Sequence, residues 1–279
     1  MSPIQRLWPF LLVALVVWLG AGPAAYGQEA SMRQRSLLGL LPADAILLGE
    51  QHDAPQHQHI EAELVQWLAQ RGQLAALVLE MAEAGRSTAG LPAPPGETQV
   101  RTALAWRDDA WPWAQYGPVV MAAVAAGVPV LGANLPLAEM RPAMQNQLLD
   151  SALPGPALKA QQQAIRLGHC SLLPESQIAP MTRIQIARDQ RMAQVLQSAA
   201  VPGKVALLVA GSGHVDRQLG IPQHLEPNFK AKVVIAKAEY VVSASNSVAN
   251  VRSGDSSTDA YWLTPPVPEK DYCAALRKP

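Results

Sequence analysis

The chain has 279 residues, with 22 basic and 22 acidic side chains and a formal net charge of zero. With no basic stripe, the sequence argues against a nucleic-acid partner or an anionic membrane held mainly by charge. The length admits one large α/β domain with a smaller subdomain, and a hydrophobic content of 49%, partly N-terminal and alanine-rich, still supports a core.

The N-terminus reads as a signal peptide over residues 1–27. Arg6 supplies a basic start, Leu7 to Leu19 is an apolar run too short for a confident membrane span, and Ala25-Tyr26-Gly27 before Gln28 is a cleavage site. An uncleaved anchor is the alternative. No cysteine lies near the cleavage point, so a lipid-bearing N-terminus is not expected and the protein is expected in the periplasm. Export places Cys170 and Cys273 in an oxidising compartment, where a disulfide and two free thiols are both compatible with the sequence.

After the signal, strand-like runs alternate with helical patterns. Strands are expected at Ala45–Leu48, Ala75–Leu79, Val128–Leu131, Val205–Val209 and Lys232–Ile235. Helices are expected at His57–Gln70, where Ile60, Leu64, Trp67 and Leu68 form a stripe, at Gln115–Ala126 and at Gln177–Ala199. Arg86 to Gln99 is rich in turn residues and reads as an exposed loop. The class is α/β: a mostly parallel central sheet flanked by helices. An α/β domain spans residues 28–242, with a small helical subdomain inserted at about 137–180. A tail over 243–279 follows, with an edge strand at Tyr261–Leu263.

Two distant strands run into the same motif, Gly49-Glu50-Gln51-His52 and Gly211-Ser212-Gly213-His214. Glycine at a strand end permits a sharp turn, so each His can reach back over the sheet edge. In a parallel sheet the strand ends share one rim, where open α/β folds bind ligands. That rim would carry Glu50, His52, Glu80, Asn134, Ser212 and His214. Glu50, His52, Glu80 and His214 have the chemistry of a divalent-metal site for zinc, manganese or cobalt, or of a metal-free acid–base site. Bland readings stand beside these: Glu80 capping a turn or pairing with Arg188, and His214 bonding a backbone carbonyl. His57 shares the inner stripe of its helix and is either a ligand candidate or a packed, satisfied histidine. Arg188, on the inner face of the long helix, wants a carboxylate. Trp106, Trp111, Trp113 and Tyr116 cluster, by default as core.

These residues resemble the ChaN-type, Tiki-related haem-binding uptake family, of the superfamily that includes erythromycin-esterase-like proteins. The likeness runs through Leu47-Leu48-Gly49-Glu50-Gln51-His52-Asp53, Leu77-Val78-Leu79-Glu80-Met81, Tyr116-Gly117-Pro118, Ala133-Asn134-Leu135-Pro136, Arg188-Asp189 and Ala210-Gly211-Ser212-Gly213-His214-Val215. It implies an α/β domain with a helical subdomain, non-covalent haem binding linked to iron uptake, pairing of two subunits around haem, and an outer-membrane receptor or transporter as partner. It offers Tyr116 and His57 as axial ligands and Arg188 as a propionate partner. The superfamily's Tiki-like metal-dependent hydrolases imply the alternative, an enzyme built on Glu50, His52, Glu80 and His214.

Overall fold

A computed structural model describes residues 23–239, 251–254, 256–274 and 277, so most of the expected signal peptide and the start of the tail lie outside the described residues. Seven strands form one sheet: β1 Ala45–Glu50, β2 Leu74–Glu83, β3 Val130–Asn134, β4 Val205–Gly211, β5 Ala231–Ala238, β6 Val251–Ser253 and β7 Ala260–Thr264. Their order across the sheet is β3-β2-β4-β1-β5-β7-β6. Six run parallel; β6 pairs antiparallel with β7. Central β1 and β4 are buried at every position, as their unbroken apolar sequences require when both sheet faces are covered.

Alternate strand residues feed two cores. Ile46, Leu48, Leu77, Leu79, Leu207 and Val209 point to one face. There they meet α2 (Pro55–Gln70), through Ile60, Leu64 and Leu68, and α4 (Trp113–Ala125), through Val119, Val120 and Ala123. Leu47, Val78 and Leu208 point to the other face and meet Met192, Ala193 and Leu196 of α7 (Glu175–Ser198). Helices α5 (Leu137–Gln145) and α6 (Gly155–Gly168), with the short helical turn Gln147–Ser151 between them, pack on α7 around Ala143, Leu149, Leu153 and Ile186.

Two local expectations change. Tyr261–Leu263 lies inside β7, which is hydrogen-bonded on both sides, so the sheet edge is β6 instead. β6 is three residues long, too short to show alternation in sequence. The loop read over Arg86–Gln99 gives way at Glu97 to α3 (Glu97–Ala103), started by the Gln99 side chain accepting the Gly96 N–H at 2.9 Å and anchored by buried Val100. A further helix, α1 (Pro23–Leu40), runs through Ala25-Tyr26-Gly27.

Cys170 and Cys273 are joined, with Cα atoms 5.7 Å apart. The bond ties the tail to the turn after α6 across 103 residues of sequence. Replacing Cys273 by Ser is expected to lower stability by roughly 2–5 kcal/mol through the freed unfolded-state loop. A denaturant midpoint equal to that of the oxidised parent would contradict this.

Candidate functional site

Parallel β1, β2, β3 and β4 end on one rim, and the polar residues expected there converge on it. The two motif glycines serve close approach rather than a turn. A Cβ on Gly49 would sit 2.5 Å from Val215 Cγ2, and one on Gly211 would sit 2.8 Å from His52 Nε2. Only a bare backbone lets these loops cross so tightly.

Glu50, buried at the end of β1, organises the first half of the site. Its Oε1 accepts the Tyr116 hydroxyl at 2.7 Å and lies 2.8 Å from His52 Nδ1, and its Oε2 accepts the Gln58 amide. His52 is thus held by one ring nitrogen while its Nε2 lies 3.9 Å from Glu80 Oε2. Its side chain is 40% exposed, and its ring meets Trp111 edge-on with centroids 4.8 Å apart. Burial lowers the His52 pKa, but the Glu50 hydrogen bond and the Glu80 charge outweigh it, and the net shift is upward.

Glu80 stands where β2 loses register with β3, between Leu79 and Glu83. Such an irregularity re-aims side chains at a strand end. Glu80 Oε2 accepts the Gly211 N–H at 2.7 Å, and Oε1 lies 3.3 Å from His214 Nε2. The other His214 nitrogen, Nδ1, is 2.5 Å from Asp189 Oδ1 and 3.0 Å from the Gln185 amide, both on α7. Burial would drive the His214 proton off, but Glu80 and Asp189 reverse this and raise its pKa to about 10. Burial likewise would raise Glu80, yet His214, His52 and the Gly211 N–H bring it down to about 2. Asp189, where burial prevails over His214, is pushed up to about 6. At neutral pH His214 is therefore an imidazolium between two carboxylates.

Glu50, His52, Glu80 and His214 thus meet, but as hydrogen-bonded pairs. Among the described residues no group of three or more His, Cys, Asp or Glu side chains is arranged to hold a metal ion. The expected zinc, manganese or cobalt site is therefore not supported: His214 bonds carboxylates through both ring nitrogens and His52 through Nδ1.

His57 and Tyr116, the expected axial-ligand candidates, are both buried and hydrogen-bonded within the protein. His57 is 0% exposed; its Nδ1 accepts the Gln51 N–H at 3.0 Å and its Nε2 bonds Thr264 Oγ1 at 3.0 Å. Burial lowers its pKa despite Glu50 and Asp53, so it is a neutral pin between α2 and β7. Tyr116 is 1% exposed, and its hydroxyl is spent on Glu50. Arg188 does not pair with Glu80 but lines a separate small cavity, together with Asn134. Ser212 is exposed on the wall of the main cleft.

That cleft, about 930 Å³, opens over the rim between His52, Ser212, His214, Ile235, Lys237 and Tyr272. Tyr272, on the disulfide-tied tail, is 56% exposed and donates its hydroxyl to Asp53. Sequence reading gave no site role to Tyr272, Asp189, Gln185, Gln58 or Glu61. The first had no pattern around it. For the others a signal exists: Gln185 and Asp189 sit four apart on one helix face, and Gln58 and Glu61 are polar residues on a buried one. Glu61 is fully buried, and burial together with the Glu50 charge raises its pKa well above the usual value.

Tyr116→Phe leaves a Glu50 oxygen short of one donor inside the protein and is expected to cost about 1–3 kcal/mol in urea unfolding. An unchanged midpoint would refute it. The raised His214 pKa predicts stability that is complete below about pH 6.5 and lost as pH rises towards about 10. Melting temperatures across that range should fall more steeply for the parent than for His214→Asn; parallel curves would contradict the assignment.

A family profile described as haem-binding uptake, Tiki superfamily, ChaN matches residues 38–225. No curated protein sequence matches. Among solved structures, the fold is similar to that reported as cofacial heme binding to ChaN of Campylobacter jejuni, with a TM-score of 0.63 and 26% identity over 82% of this chain and 90% of that one. A weaker likeness, TM-score 0.45 and 15% identity, covers 80% of this chain and 88% of the type III effector HopBA1. The profile spans β1 to β4 and the rim residues that follow them, from the end of α1 to beyond His214, and the chain belongs to the ChaN haem-binding uptake family of the Tiki superfamily.

Proposed function

We propose that this chain is an exported haem-binding protein that serves haem or iron uptake. The observation that carries the reading is the open cleft above the strand ends, which presents an exposed phenol at its wall. At about 930 Å³ it lies at the upper end of ordinary ligand cavities. Haem iron takes Tyr, His, Met or Cys as axial ligand. With Tyr116 and His57 buried, Tyr272 is the most exposed of the tyrosine and histidine side chains that line the cleft, its hydroxyl held by Asp53. Ile235 and Ala236 supply apolar wall, and Lys237, ion-paired with Glu239, lines the cleft beside them. No Cys-x-x-Cys-His occurs in the sequence, so attachment would be non-covalent. Bound haem would contribute the iron itself; the chain's residues bind it, orient it and offset its charge.

Export to the periplasm is supported by the basic and apolar N-terminus and by the Cys170–Cys273 bond, which suits an oxidising compartment. The cofacial arrangement named for the C. jejuni protein suggests that two copies pair across the open side of the cleft. An outer-membrane receptor or transporter then fits as the partner that exchanges haem with it.

The test is titration of the mature chain with haemin, followed by its Soret band and by sedimentation. Tyr272→Phe is expected to weaken binding about tenfold or more, the loss of one strong ligand contact. Tyr116→Phe should change stability instead. No saturable Soret shift, or an unaffected Tyr272→Phe variant, would overturn the assignment.

One observation favours a second reading, a metal-free acid–base hydrolase. His52 is partly exposed to the cleft, held through Nδ1 by Glu50, and leaves Nε2 facing Glu80. Turnover of small esters or peptides that disappears in His52→Ala would support it, and turnover unchanged by that substitution would remove it.

A further inference from the structure

We propose that a second, smaller cavity behind Glu80 binds a small carboxylate carrying a hydrogen-bond donor on the adjacent carbon, such as a 2-hydroxy or 2-amino acid. The cavity, about 180 Å³, lies where β2 and β3 end, between α7 and the loop that carries Trp111. It shares no lining residue with the main cleft. Taking about 30 Å³ per water, it has room for roughly six, the size of a three- or four-carbon acid.

Four charged side chains line it, and three of them are engaged within the protein. Glu80 is engaged by His214 and by the Gly211 N–H. Glu83 accepts the Leu137 N–H at 3.0 Å, and Arg107 pairs with Asp109 at 2.7 Å. Arg188 alone is left over. Its neighbours on α7 both have carboxylates, Arg183 on Asp150 at 2.7 Å and Arg191 on Glu139 at 2.6 Å. Among the described residues Arg188 has no hydrogen bond or ion pair, and its Nε is buried without an acceptor. The same cavity holds the opposite deficit: Asn134 Oδ1 is buried without a donor.

Buried polar atoms are normally satisfied, so an unmet N–H and an unmet C=O on one small cavity point to an absent occupant. A carboxylate accepts from the guanidinium in a charge-assisted, often bidentate, geometry. The hydroxyl or ammonium beside that carboxylate meets Asn134. Leu135, Met140 and Trp111 leave apolar wall for a short side chain.

The test is calorimetric titration of the full chain with lactate and alanine, against propionate, which lacks the donor, and propionamide, which lacks the charge. Lactate or alanine should bind saturably, propionate more weakly, and propionamide not at all. Arg188→Met should weaken lactate or alanine by about tenfold or more, as expected for a lost charge-assisted contact. It should leave the melting temperature close to the parent's, because no hydrogen-bonded protein partner is orphaned and only the distant influence of the Arg188 charge on Asp189 is lost. Asn134→Ala should erase the advantage over propionate. The proposal is overturned if none of the acids saturates, if Arg188→Met binds as the parent does or melts well below it, or if haemin displaces the acid, since the cavity would then belong to the cleft.

Discussion

The site depends on one buried cation. His214 is held between Glu80, which β2 delivers, and Asp189, which α7 delivers, so strand and helix are locked to the loop after β4 through a single ring. Its cost is high in principle, because three ionisable groups leave water together. What offsets it is satisfaction at both ring nitrogens and a Gly211 amide on the second Glu80 oxygen, while Asp189 Oδ2 stays buried without a donor. Remove the ring and two carboxylates face each other in the interior with nothing between them.

From that lock the rest of the rim follows. Glu80, fixed in its charged form, attracts His52 from across Gly211, and Glu50 holds the other side of the same ring. Gln58 and Tyr116 in turn fix Glu50, which ties α2 and α4 to the end of β1. The network is therefore a rigid floor, in which most polar atoms face one another. Ligand-facing chemistry is left to its margins: His52 and Tyr272 over the large cleft, Arg188 and Asn134 in the small cavity.

This division separates residues that hold the floor from residues free to bind. His57 and Tyr116 carry the chemistry of ligands and do the work of pins, since their polar atoms are used inside the protein. Arg188 shows the reverse: on α7 it looks like one of three structural arginines, yet it is the one without a carboxylate. A residue's type states what it can do; its unspent bonds state what it is placed to do.

Much of this was legible along the chain. The unbroken apolar runs at Ala45–Leu48 and Val205–Val209 required buried parallel strands, and parallel strands required Glu50, His52, Glu80 and His214 to meet at one rim, as they do. Periodicity, being local, determined the helices and their inner faces. What depended on packing was not written locally. The β2 irregularity that aims Glu80, the commitment of each imidazole to a carboxylate rather than a metal, and the approach of Asp189 to His214 all arise between segments distant in sequence. The tail shows it most plainly: Tyr272 has no patterned neighbours, and only the bond from Cys170 to Cys273 and the Asp53 carboxylate bring its phenol to the cleft. Side-chain type and spacing settle which groups can meet, while burial and hydrogen bonding settle which of them remain unsatisfied, and those belong to the folded chain alone.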